Sequence, residues 1–135
     1  MWTDEEAYLV AQLGYELAMQ GRYKEALILF DGLIAAQPAN LYARRALAAV
    51  HLRLGEGAEA LAALDGGGLA SRDVPARRLR LESLLQLGWQ REAGEEFATL
   101  RARLEPADAR RFALMLDSTQ SMLDSKQLPE RHSDN

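Results

Sequence analysis

Apolar positions recur at helical spacing through most of the chain, in short runs separated by glycine or proline. Val10, Leu13 and Leu17 form the first run, and Ala26 and Phe30 belong to the next, with Gly21 between them. Extended in this way, the pattern predicts helices near 4–20, 23–36, 40–53, 57–65, 75–87, 90–104 and 107–124. Thr3 with Glu6 makes a capping box that sets the first start. In the last helix Phe112, Leu116, Thr119 and Leu123 share one stripe, with Met115 and Met122 beside it. The following "SKQLPERHSDN" has no periodic face, so residues 125–135 are expected to be a disordered polar tail.

Three stretches echo one another: "QGRYKEALILF" at 20–30, "LGEGAEALAAL" at 54–64 and "LGWQREAGEEF" at 87–97. Gly21, Gly55 and Gly88 lie 34 and 33 residues apart; Ala26, Ala60 and Ala93 follow five later, and Phe30, Leu64 and Phe97 nine later. A period of about 34 residues, with the pattern W-x2-L-G-x2-Y, A-x3-F and P, resembles the tetratricopeptide helix-turn-helix repeat. Each matching residue has a packing reason. Gly14 and Ala26 are small where helices approach closely, and Phe30 fills the space between a pair and its neighbour. Gly21 allows the positive φ at which the first helix stops, Tyr23 covers the turn, and Pro38 cannot continue the second helix.

The second unit keeps Leu47, Ala48, Gly55, Ala60 and Leu64, with His51 at the tyrosine position and glycine in place of the closing proline. The third keeps Leu84, Gly88, Ala93, Phe97 and Leu100, with Pro106 one residue late. Arg80 and Leu81 stand where Leu-Gly is expected, which leaves the register of that helix open by one residue. The resemblance implies an all-α fold: about three units, at 7–40, 41–74 and 75–106, in a short right-handed superhelical stack. The helix at 107–124 would cover its open end, giving one domain over 1–124.

Composition narrows the partners. The 135 residues are 48% hydrophobic and 27% charged, enough for one packed core. A formal charge of −4 gives no global attraction to nucleic acid or anionic lipid. There is no cysteine, so disulfides and thiolate metal sites are excluded. The start, "MWTDEEAYLV", carries acids where a signal peptide would carry basic residues, and no apolar run reaches the roughly 18 residues needed to cross a bilayer. The mature chain is expected in the cytoplasm, without nucleic-acid partners or membrane insertion.

Candidate chemistry is sparse. "DGGGLASRD" at 65–73 has the glycines of a phosphate loop without the following Gly-Lys-Ser/Thr, and reads as a flexible connector. His51 and His132 lie far apart without ligand spacing, and His51 reads as a packed substitute for tyrosine. Asp4-Glu5-Glu6 sits at a helix start and Glu95-Glu96 on a polar, solvated face. Ser71, Ser83, Ser118 and Ser121 have no partner histidine in a nucleophile context. No catalytic, cofactor or metal site is expected, and the chain is read as a non-enzyme.

A helix-lined groove remains. In tetratricopeptide stacks the first helix of each pair lines the concave face. Counting along the repeat places Tyr8, Ala11, Tyr15, Ala18 and Met19 there from unit one. Unit two supplies Tyr42, Arg45, Ala49, Leu52 and Arg53; unit three supplies Arg78, Glu82, Leu85 and Gln86. Tyr8 and Tyr15 stand two turns apart on one helix face. Tyrosines suit a surface that grips an extended or helical peptide. The alternative is that Tyr8 and Tyr15 pack against a neighbouring helix or a second copy of the chain.

Tetratricopeptide co-chaperones that hold an acidic chaperone C-terminus use a lysine and asparagines, where this chain has Ala11, Tyr15 and Ala46. That function is disfavoured. The run "ALILFDGLIAAQPANLYARRALAAVHL", with Pro38 and Arg44-Arg45, resembles the small tetratricopeptide chaperones of bacterial type III secretion over residues 8–64. The YscY-type export chaperones and the class II translocator chaperones are both similar. The resemblance implies a cytoplasmic, non-ATPase chaperone that shields a secreted or export-apparatus protein until export. It also implies a weak homodimer through the apolar N-terminal surface of Trp2, Tyr8, Leu9 and Leu13. A general scaffold or regulatory adaptor outside type III secretion, using the same groove, is the alternative.

Overall fold

In the computed structural model, which describes residues 2–65 and 73–117, three helices start at a residue whose side chain satisfies a loose backbone N–H. Helix α1 (Asp4–Met19) begins at Thr3, whose hydroxyl accepts from the Glu6 N–H at 3.1 Å while the Glu6 carboxylate accepts from the Thr3 N–H at 2.8 Å. Helix α2 is Tyr23–Ala36, α3 is Leu41–Arg53 and α4 is Gly57–Asp65. Asn40 caps α3 by accepting from the Ala43 N–H at 3.0 Å. Helix α5 (Val74–Leu87) is capped by Asp73, which accepts from the Ala76 N–H at 3.1 Å, and Pro75 occupies its first turn, where a missing N–H costs nothing.

The three repeat glycines end α1, α3 and α5 in one way. Gly21, Gly55 and Gly88 have φ of 78°, 76° and 75°. The residue after each glycine donates its N–H back across the last turn: Arg22 to the Leu17 carbonyl, Glu56 to His51 and Trp89 to Leu84, at 2.8 to 3.0 Å. This is the closure a left-handed residue permits. His51, at the tyrosine position, is part-buried and meets the Glu56 carboxylate at 2.8 Å, so it secures its own turn.

Among the described residues, one helix boundary differs from the sequence expectation by more than a residue. Helix α6 is Gln90–Leu100, followed by a 3-10 turn at Arg101–Arg103, so the helix expected to reach 104 tightens over its last residues. Helix α7 starts at residue 106 and is described through 117. Most of the connector at 65–73, the end of the last helix with Thr119, Met122 and Leu123, and the tail at 125–135 lie outside the described residues.

The helices pack as successive antiparallel pairs, each against the next, and no strand occurs among the described residues. Phe30, 1% exposed, joins the first two units with Ala26, Leu47, Ala48, Val50, Ala60 and Leu64. Leu81, Leu84, Ala93, Phe97, Leu100 and Phe112 form a second cluster, in which the capping helix takes part through Phe112. The register left open in unit three is settled by Leu81. It is fully buried at the position of Gly14 and Ala48, while Arg80 turns outward to Asp65 and Glu96. Glu96 departs from expectation. It is largely buried and accepts from Arg77 at 2.8 Å, joining α5 to α6 instead of facing solvent.

Candidate binding groove

Helices α1, α3 and α5 line one side of the stack with three adjoining concavities. The first, about 300 Å³, lies between Tyr8, Ala11, Gln12, Asn40 and Tyr42. The second, about 500 Å³, is walled by Tyr15, Met19, Tyr23 and Tyr42 and floored by Ala18, Phe30, Ala46, Ala49 and Leu79, with Arg45 and Arg53 beside them. The third, about 510 Å³, runs from Ala49, Leu52 and Arg53 past Arg78, Glu82, Leu85 and Gln86 to Arg111 and Met115 of α7. Tyr42 is shared by the first two, and Ala49, Arg53 and Leu79 by the last two, so the hollows form one furrow.

Every residue placed on the concave face by counting along the repeat lines this furrow. The count did not include Pro75 and Leu79, one helical step from the chosen positions on α5, or Tyr23 and Phe30 of α2; Ala46 entered only through the co-chaperone comparison. The count also missed Arg111 and Met115, because the capping helix has no repeat register from which to count. The tyrosines are not core residues: Tyr8, Tyr15 and Tyr42 are 61%, 51% and 43% exposed.

The polar groups are arranged unevenly. Near the N-terminal end, Gln12 Nε2 donates to the Tyr8 hydroxyl at 2.6 Å. Burial raises the Tyr42 phenol above its ordinary value, with the neighbouring Tyr15 and Tyr8 phenols acting in the same direction and Arg45 against it. Arg45 Nη1 donates to both carboxylate oxygens of Asp73 at 3.1 and 3.2 Å, tying α3 to the cap of α5. At the far end, four charges close a ring between α5 and α7. Arg78 meets Asp108 at 3.2 Å and Glu82 at 3.5 Å; Arg111 meets Glu82 at 3.7 Å and Asp108 at 3.8 Å. The Arg111 guanidinium also lies 4.5 Å from the Phe112 ring centroid. Gln86 donates to the Leu52 carbonyl at 3.1 Å, joining α5 to α3.

Among the described residues there is no group of three or more His, Cys, Asp or Glu that could hold a metal ion. No helix among them is long and apolar enough to cross a membrane. The furrow offers apolar surface, tyrosine hydroxyls and guanidinium groups, a combination suited to holding another polypeptide.

Residues 19–97 match the family described as anaphase-promoting complex, cyclosome, subunit 3, a family of tetratricopeptide type, and the chain belongs to it. Its fold is similar to that of PcrH from Pseudomonas aeruginosa, with a TM-score of 0.74 and 23% identity over 89% of this chain and 96% of that one. PcrH in complex with the chaperone binding region of PopD gives a TM-score of 0.76 at 23% identity, covering 91% of this chain and 97% of that one. The first tetratricopeptide domain of human RPAP3 gives 0.71 at 22% identity, covering 85% of this chain and 95% of that one. No curated protein matches the sequence. The chain is therefore an all-α tetratricopeptide stack, as the repeat spacing implies.

Proposed function

We propose that the chain is a cytoplasmic chaperone of bacterial type III secretion, holding an apolar segment of a secreted or export-apparatus protein in its furrow until export. The observation that carries the reading is the continuous furrow from Tyr8 to Met115, apolar in its central part and walled by half-exposed tyrosines. Half-exposed aromatics over an apolar floor leave surface that a partner segment would cover. Support comes from the fold likeness to PcrH, which is seen with the chaperone binding region of PopD, and from the sequence run around Pro38 and Arg44-Arg45. The reading assigns no catalytic step and no cofactor. The likeness to the RPAP3 domain suits the second reading, a scaffold or adaptor using the same face.

The test is recovery of the partner from native cells on wild-type protein, Tyr15→Ala and Tyr42→Ala. The expected result is a secreted or export-apparatus protein that is captured by the wild type and lost by the tyrosine variants. Recovery of partners unconnected with secretion would favour the adaptor. Equal capture by all three proteins would place the binding surface elsewhere.

A further inference from the structure

The furrow is charged in the opposite sense to the chain. Against a formal −4 overall, the central and distal hollows are lined by Arg45, Arg53, Arg78 and Arg111 with Glu82 as their one acid. Three of these arginines are already engaged: Arg45 with Asp73, and Arg78 and Arg111 with Glu82 and Asp108. Arg53 has no ion-pair partner among the described residues. It stands exposed in the last turn of α3 and lines both hollows, at the border between the apolar centre and the charged end.

From this arrangement we infer that Arg53 reads an acidic side chain next to the apolar anchor of an extended partner segment. The inference rests on the groove reading above and adds a sequence preference to it. A carboxylate from the partner, arriving beside a side chain seated between Tyr15, Tyr42 and Ala49, meets a guanidinium that gives up no internal partner. An acid opposite Arg45 or Arg78 competes with Asp73 or Asp108, and loses the advantage of a free donor. A basic residue beside the anchor is repelled, so one charge both favours the acidic sequence and disfavours the basic one. Arg53 also carries positive charge at a helix C-terminus, which helps α3 whether or not a partner is bound. The test must therefore read recognition and not stability.

Short fluorescent peptides with a single leucine in an alanine-serine background serve as probes. Each is made with Asp or Asn at the positions flanking the leucine, and is titrated by anisotropy against wild type, Arg53→Gln and the distant control Arg91→Gln. At one flanking position or more, Asp should bind about twofold to fivefold more tightly than Asn to wild type and to Arg91→Gln, the range of an exposed ion pair. Added salt should shrink the ratio, and Arg53→Gln should abolish it. Charge reversal, Arg53→Glu, should transfer the preference to peptides with Lys at that position. If leucine peptides bind but Asp and Asn are equivalent throughout, or the ratio survives in Arg53→Gln, the assignment of Arg53 is overturned and the groove reading stands. If leucine peptides bind no better than serine versions of themselves, the groove reading fails and takes this inference with it.

Discussion

Gly14 lies directly against the ring of Phe30. A Cβ added at Gly14 would stand 2.8 Å from Phe30 Cζ and 3.0 Å from Cε1, inside van der Waals contact. One residue is small because the other is large, and the pair fixes how closely α1 approaches α2. Gly14→Ala should therefore destabilise the stack by about 1 to 3 kcal/mol, the usual cost of overpacking a filled site. Chemical denaturation checks this, and Gly14→Ala combined with Phe30→Leu should recover part of the loss.

Groove and core should separate under mutation. Phe30→Ala and Phe97→Ala empty buried sites and should cost about 3 to 5 kcal/mol in stability. Tyr15→Ala and Tyr42→Ala remove half-exposed rings, so the fold should remain near wild-type stability while partner binding weakens by about 1 to 3 kcal/mol each, if these are anchors. Thermal melts and a binding titration on the four variants decide the matter; tyrosine variants that melt like the phenylalanine ones would show that Tyr15 and Tyr42 hold the fold and not only a partner.

The turn glycines test conformation without packing. Nothing lies within 4 Å of a Cβ built at Gly21, Gly55 or Gly88, yet all three have φ near +76°. Alanine there pays only the left-handed backbone penalty, about 1 to 2 kcal/mol per site. Asparagine, which tolerates that region better, should cost less at each position. Equal losses for alanine and asparagine would show that the left-handed φ does not set the requirement.

Acid should loosen the first turn of α1 before the rest of the stack. Hydrogen bonds from the Thr3 backbone N–H, then from its hydroxyl, hold the Glu6 carboxyl below the ordinary glutamate range. A carboxyl depressed in the folded state contributes stability above its unfolded pKa and loses it as pH falls through the folded value. Protection of the Thr3 and Glu6 amides, taken as observed exchange relative to the intrinsic rate at each pH, should therefore fall at acidic pH, below the ordinary glutamate range, and Glu6→Gln should make that protection insensitive to the same change. Identical acid behaviour in the variant would remove Glu6 as the cause.

Self-association is expected through the N-terminal surface. Leu9 and Leu13 are 60% and 50% exposed one turn apart on α1, with Trp2 and Tyr8 nearby in sequence. Light scattering without a partner should show a weak dimer that Leu9→Ser with Leu13→Ser converts to a monomer. A strict monomer at high concentration for the wild type would exclude it.

Helix order and the concave face were legible because they rest on local signals. Thr3 with Glu6 announces a start, the spaced glycines announce stops, and the repeat period carries Tyr15 onto the positions of Ala49 and Glu82. Long-range pairing was not legible. Nothing near Glu96 in sequence shows that Arg77 and Arg80, on the preceding helix, will draw it out of solvent. Arg111 and Met115 belong to a helix without a repeat partner, so their place on the furrow follows only once Phe112 is seen in the second cluster. The tightening at Arg101–Arg103 likewise has no marker residue in the sequence.

The pairs Arg80 with Asp65 and Arg45 with Asp73 have a use beyond holding charges. Asp65 closes α4 and Asp73 opens α5, so the two ends of the segment between them are each fastened to a neighbouring helix by side chains. Asp65 thereby joins α4 to α5 through Arg80, and Asp73 joins α5 to α3 through Arg45. The setting of unit three against unit two, and with it the width of the tyrosine-walled furrow where α3 faces α5, therefore answers to two side-chain pairs as well as to the packed core.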